Sequence, residues 1–211
     1  MESFTQIATE LGLQIVATEG YGKDDVDFKA QLTNISAQKP DVLFIPEYYN
    51  NVYLIASQSK EIGLTSTLLG VDGTDGVLSL EGADYSVFDG MYFANHYSTD
   101  DPSEIVQNFL IGFKDKYNET PNALAALGYD GAKILINALK TVADAGTVID
   151  NSPECFTAVI NALDNTDLDC VTGHITYDEN NNPIKSCAII KITTSVVDDK
   201  VVGKYELYGK Y

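Results

Sequence analysis

The chain has 211 residues, 45% of them hydrophobic, with 13 Lys+Arg against 31 Asp+Glu and a formal net charge of -18. That length and apolar content support one sizeable core or two small lobes, and they exclude a disordered tail. The acidity repels phosphate backbones and anionic membrane surfaces, so nucleic acid is not expected as a partner.

Cys155, Cys170 and Cys187 are odd in number and match no metal or redox spacing; one disulfide is compatible with them, but buried free thiols fit better. With His96 and His174 as the histidines and no cysteine cluster beside either, neither a cofactor nor a transition-metal centre is expected. No apolar run reaches the length of a membrane span, and the opening MESFTQIATELG lacks the basic start and apolar core of an export signal.

Phe4, Ile7, Ala8 and Leu11 follow a helical spacing at the start. Residues 13–93 then alternate short β-rich runs with amphipathic helices, the pattern of a parallel sheet covered by helices. A strand is expected at 13–17, then a GYGKDDVD loop and a helix carrying Phe28, Leu32 and Ile35. A buried strand at 42–45 precedes a helix with Val52, Ile55, Ala56 and Ile62 on one face. Further strands are expected at 67–71, ending in a Gly-rich DGTDG loop, and at 91–94.

Residues 103–163 carry three helical patterns and no convincing strand. Asp101-Pro102, Thr120-Pro121 and Ser152-Pro153 each offer a capping oxygen followed by a proline whose missing N–H costs nothing at a helix start. The sequence returns to β character at 173–177, 186–192 and 201–208, with a DENNNP turn between the first two.

Ligands of open parallel sheets bind beyond the carboxyl ends of the strands. Here those ends supply Pro46, Glu47, Tyr48, Tyr49 and Asn50 after one strand, and Asp72, Gly73, Thr74, Asp75 and Gly76 after the next. An acid and an aromatic ring at neighbouring strand ends suit an ammonium group. Asp72 would accept a charge-assisted hydrogen bond of about 1.5–3 kcal/mol, and the Tyr48 ring would add a cation–π contact of roughly 0.5–2 kcal/mol. The plainer alternative is that Asp72 caps the following helix and the tyrosines wedge the loop. DGTDG and YDENNNP lack the later bidentate Glu of a calcium loop, so turn formation accounts for them better. No GxSxG, HExxH, P-loop or GxGxxG occurs, and no enzymatic chemistry is expected.

The blocks DFKAQLTNISAQKPDVLFIPEYYNNVYLIASQSKEIGL, LLGVDGTDG, GMYFANHYSTDDP, FKDKYNETPNALAALGYDGAKIL and VTGHITYDENNNPIK, in that order, resemble the leucine/isoleucine/valine-type amino-acid-binding proteins. The resemblance implies an α/β, type I periplasmic-binding-protein-like fold: a doubly wound parallel sheet with helices on both faces, in two lobes joined by a three-strand hinge. It places Tyr48 on a ligand-contacting tyrosine, Asp72 on the acid that holds the α-ammonium, and Tyr129 of LGYDG on an aromatic from the other lobe. Tyr49 and Gly73 flank the first two as further ligand-site candidates.

By the same resemblance, residues 1–93 form lobe two without its first strand, 94–172 the helical part of lobe one, and 173–211 the strands returning through the hinge to lobe two. The second lobe is then incomplete, and the chain is expected to be a carboxy-terminal fragment. Rearranged pairing of the carboxy-terminal strands, swapping with a second copy in a homodimer or strand-swapped assembly, or a missing partner chain would fill the gap. The implied function is the solute-binding component of an ABC transporter, capturing a branched-chain or similar aliphatic amino acid for a membrane permease. The alternative is a ligand-sensing regulatory domain on the same fold. An extracytoplasmic location follows from the resemblance alone.

Overall fold

The computed structural model describes residues 2–211, so Met1, the first residue of the expected lobe, lies outside the described residues. The chain divides into two compact units. One runs up to Ala94 and includes Ile189–Glu206; the other is Asn95–Ala188 with Leu207–Tyr211.

The first unit holds helix α1 (Glu2–Glu10), α2 (Lys29–Ala37), strand β1 (Val42–Ile45), α3 (Tyr49–Glu61), β2 (Thr67–Gly70) and most of β3 (Tyr92–Asn95). β1 and β2 pair in parallel with Ile45 opposite Gly70, and β2 pairs in parallel with β3. Val52, Ile55, Ala56 and Ser59 of α3 are buried at the spacing expected of one helix face, with Leu43, Ile45, Phe88 and Phe93 also in the core. Gln58 of α3 accepts the Phe28 N–H at 2.6 Å and donates to the Val26 carbonyl at 2.8 Å. It thereby serves as a partner for the start of α2, where Phe28 has no capping oxygen of its own.

Residues 13–17 form no strand, contrary to the expectation. Leu13, Ile15 and Val16 are 61%, 38% and 40% exposed, and no ladder forms on them among the described residues. A strand exists only through hydrogen bonds to a neighbour. β1 ends the five-stranded sheet, which continues from β3 to β7 (Ala188–Val197) and β8 (Lys200–Lys210) in the order β1-β2-β3-β7-β8, and it does not pair to this segment. In α1, Phe4 stacks on Phe44 of β1 at 3.9 Å, while Ile7 and Leu11 remain exposed.

The second unit contains α4 (Glu104–Tyr117), α5 (Ala123–Asp144) and α6 (Pro153–Asp164), followed by β4 (Leu168–Cys170), β5 (Gly173–Tyr177) and β6 (Pro183–Ile184) in an antiparallel sheet. Residues 173–188, read above among the returning strands, lie in this unit. Of the three expected helix starts, Ser152-Pro153 is found as written: the Ser152 hydroxyl accepts the Cys155 N–H and Pro153 opens α6. The other two helices begin later, at Ser103 and Asn122. Asp101 is diverted because its carboxylate accepts the Ser103 N–H and a bond from Lys210. The core includes Tyr97, Val106, Phe109, Ala123, Ala126 and Val171, with a second cluster of Ile134, Cys170 and Ile175. Cys155 and Cys170 are buried, Cys187 is partly buried, and all three are free thiols.

The last strands, β7 (Ala188–Val197) and β8 (Lys200–Lys210), are joined by Asp198 and Asp199 at φ 49° and 59°. Two consecutive left-handed residues make the tight turn of a two-residue hairpin, so these strands run antiparallel beside the parallel set. The chain passes between the units at three places, within β3, β7 and β8.

Candidate ligand-binding site

The register of β1 with β2 brings the two strand ends level, so the residues after Ile45 and after Gly70 emerge side by side in the first unit. Tyr48 is the N-cap of α3, with φ −81° and ψ 155°, and its side chain is 69% exposed. Asp72 is exposed and opens a short 3-10 turn through Thr74. Gly73 lies against the preceding loop: a Cβ there would stand 2.7 Å from the Glu47 carbonyl oxygen and 3.3 Å from the Tyr48 Cα. Tyr49, half-buried, lies against Gly76, where a Cβ would be 3.2 Å from its ring. The structure therefore gathers four of the five candidates, Tyr48, Tyr49, Asp72 and Gly73, into one pair of loops.

The far side of the second loop is held by Tyr205 of β8, whose hydroxyl accepts the N–H groups of Gly76 at 3.1 Å and Leu78 at 3.3 Å. Burial, reinforced by the charge of Asp75, pushes the Tyr205 phenol up to about 12, so it stays neutral and keeps its place. Its ring meets Phe93 edge-on at 5.6 Å, joining the loop to the core.

Two residues here were not among the candidates. Glu47 Oε2 accepts the Tyr48 N–H at 2.9 Å and Asn51 Nδ2 at 3.4 Å. Burial first, and the neighbouring Glu47 carboxylate second, push the Tyr21 phenol up to about 12. Tyr21 also meets the buried Phe28 ring edge-on at 5.0 Å. The signal was present in the sequence as an acid just before an N-cap that lacks a short capping oxygen, with Asn three residues after that N-cap.

The fifth candidate, Tyr129, belongs to the second unit and is not gathered with the others. It is 52% exposed on α5, with its ring 5.0 Å from that of Phe109. It lines a depression of about 310 Å³ with Lys133, Ile136, Lys140 and Leu168. The next residue, Asp130, is 2% exposed and accepts the Val171 and Thr172 N–H groups at 2.9 and 2.8 Å, fixing α5 against the loop after β4. Among the described residues no group of three or more His, Cys, Asp or Glu is placed to hold a metal ion, and no helix is long and apolar enough to cross a membrane.

An α/β unit with convergent loops at parallel strand ends is a small-molecule-binding architecture. A family model described as periplasmic binding protein matches residues 1–195, and the chain belongs to that family. A Leu/Ile/Val-binding protein homologue of Brucella melitensis is 27% identical over 192 residues, covering 82% of this chain and 43% of that protein. A crystal structure of a leucine-binding protein from Thermotoga maritima superposes with a TM-score of 0.79 at 29% identity, over 97% of this chain and 54% of that one. A branched-chain amino-acid transporter substrate-binding protein from Streptococcus pneumoniae, solved with isoleucine, gives a TM-score of 0.73 at 25% identity, over 96% and 55%. The chain thus spans about half the length of the relatives it matches.

Proposed function

We propose that this chain carries the ammonium-recognising part of an amino-acid-binding protein that serves an ABC transporter. Support comes chiefly from one observation: Asp72 and Tyr48 emerge side by side from adjacent parallel strands, held by the close approach of Gly73 to Glu47. Asp72 accepts the ligand's α-ammonium and the Tyr48 ring supplies a cation–π face. Tyr49 and Gly73 complete the loop walls. Tyr129 keeps a ligand-contacting role by resemblance, with which its exposure is compatible.

The ligand is a branched-chain or similar aliphatic amino acid, in line with the relatives described above as binding leucine or isoleucine. The bound amino acid is passed to a membrane permease, the chain works outside the cytoplasm, and it has no catalytic role. The polypeptide self-associates, as a homodimer or strand-swapped assembly.

An ammonium bond and a cation–π contact of the sizes given above correspond to dissociation constants in roughly the millimolar range. Titrating leucine into the labelled chain by NMR should give saturable shifts at Tyr48 and Asp72, and Asp72→Asn should abolish them. Unchanged affinity in Asp72→Asn would sink the site assignment.

A further inference from the structure

Glu47 is where three loops of the first unit meet. Its carboxylate takes the Tyr48 N–H at 2.9 Å and the Asn51 amide at 3.4 Å, and Tyr21, in the loop at residues 20–22, is near enough for that charge to help raise its phenol. Its own carbonyl oxygen abuts Gly73 in the loop that carries Asp72. Tyr21 is anchored in turn on Phe28, and Phe28 on Gln58.

The chemistry of the helix start explains why a carboxylate stands here. Tyr48 is the N-cap of α3 but makes no side-chain cap, so nothing in its own side chain fixes its backbone. Asn51 occupies the third helical position and reaches back to Glu47, which holds the Tyr48 N–H. A capping box joins the N-cap to that same third position reciprocally; here the acid is displaced to the residue before the cap. The direction in which the Tyr48 ring leaves the backbone therefore depends on Glu47.

We infer that Glu47 is a positioning residue for amino-acid binding: it orients Tyr48 and, through its carbonyl against Gly73, seats the loop that carries Asp72, so that Tyr48 and Asp72 address one ammonium group. This inference rests on the amino-acid reading above. Glu47 need not touch the ligand, and its effect passes through Tyr48.

The test compares wild type, Glu47→Ala, Glu47→Gln, Asn51→Ala, the Glu47→Ala/Asn51→Ala double variant and Asp72→Asn by leucine titration, with unfolding midpoints measured in parallel. Glu47→Ala should weaken leucine about tenfold or more, and Asn51→Ala severalfold at an unchanged midpoint. The double variant should be no worse than Glu47→Ala alone, because both changes break one network. Glu47→Gln, which keeps an acceptor for the Tyr48 N–H, should restore affinity to within about twofold of wild type, a rescue that loss of the charge alone would not allow. Wild-type binding lost in Asp72→Asn but unchanged in Glu47→Ala overturns the Glu47 role alone. No saturable binding in wild type overturns the amino-acid reading and this inference with it. If Glu47→Ala fails to fold, Asn51→Ala decides, and full affinity in that variant overturns the inference.

Discussion

Lys210 Nζ donates to the Asp101 carboxylate at 2.5 Å across 109 residues of sequence, joining the end of β8 to the loop that leads into α4. The Asp101 side chain is 8% exposed and that of Lys210 44%. Burial alone would raise the Asp101 carboxyl, but the bonds from Lys210 and Ser103 outweigh it and hold the group below its ordinary 3.8.

Lys210→Met should therefore destabilise the second unit by about 1–3 kcal/mol at neutral pH, because it leaves a buried carboxylate without its cation. A group whose folded value is depressed stabilises above its unfolded value and loses that contribution as pH falls through the folded one. Urea denaturation of wild type should show this acid loss below 3.8, and Lys210→Met should show less of it.

His174 of β5 places Nδ1 2.8 Å from Asp169 and Nε2 3.1 Å from Asp167. The hydrogen bond to Asp169 leads in raising the imidazole above its ordinary 6.5, and the two nearby negative charges add to it. The sign is opposite to that of Asp101: the contribution is complete below 6.5 and is lost as pH rises through the raised folded value. His174→Gln should flatten the stability profile just above 6.5, as read from urea midpoints across neutral pH.

Gly73→Ala would set a methyl carbon 2.7 Å from the Glu47 carbonyl oxygen, closer than any real contact, and backbone must move to relieve it. Because the displaced backbone is that of Glu47 and Tyr48, leucine affinity should fall about tenfold or more, with a stability cost of about 1–3 kcal/mol. Affinity within twofold of wild type would show that the two loops are not coupled.

Asp130→Asn replaces one of two acceptors facing the Val171 and Thr172 N–H groups with a donor. The expected cost is about 1–3 kcal/mol in urea unfolding. Tyr129→Ser, one residue earlier but exposed, should change leucine affinity more than stability.

The second unit exposes Leu124, Leu135, Ile136, Phe156 and Ile160 on α5 and α6, each at 46–63%. Apolar side chains gathered on neighbouring helices favour association. Light scattering should give a mass above 22.9 kDa that falls on dilution; a concentration-independent mass of 22.9 kDa contradicts the proposed self-association.

Much of the fold was legible because its determinants are local. The run Val42–Ile45 is apolar and bounded by Pro40 and Pro46, and Ser152-Pro153 carries both a cap and a proline in adjacent positions. What misled was decided at a distance. Residues 13–17 have strand composition, but pairing belongs to two segments and composition to one. Asp101 has a capping oxygen, but Lys210, remote in sequence, claims it.

The site divides in the same way. Tyr48 and Asp72 could be found because strand ends are visible in the pattern, and the parallel register then brings them level. Glu47 is harder to read because its importance lies in its partners: the Tyr48 N–H and Asn51 are local, but Gly73 meets its carbonyl from the loop after β2. Tyr129 rests on the resemblance; it is exposed, while Asp130, the next residue of α5, is buried and accepts the Val171 and Thr172 N–H groups.

The central claim is that this chain recognises the ammonium end of an amino acid. The most direct measurement titrates the chain in parallel with leucine and with 4-methylpentanoate, which has the same carbon skeleton and carboxylate but no amino group. Saturable shifts at Tyr48 and Asp72 with leucine, and none with 4-methylpentanoate at equal concentration, are the predicted result. Equal binding of the two compounds, or leucine shifts that persist in Asp72→Asn, would contradict it.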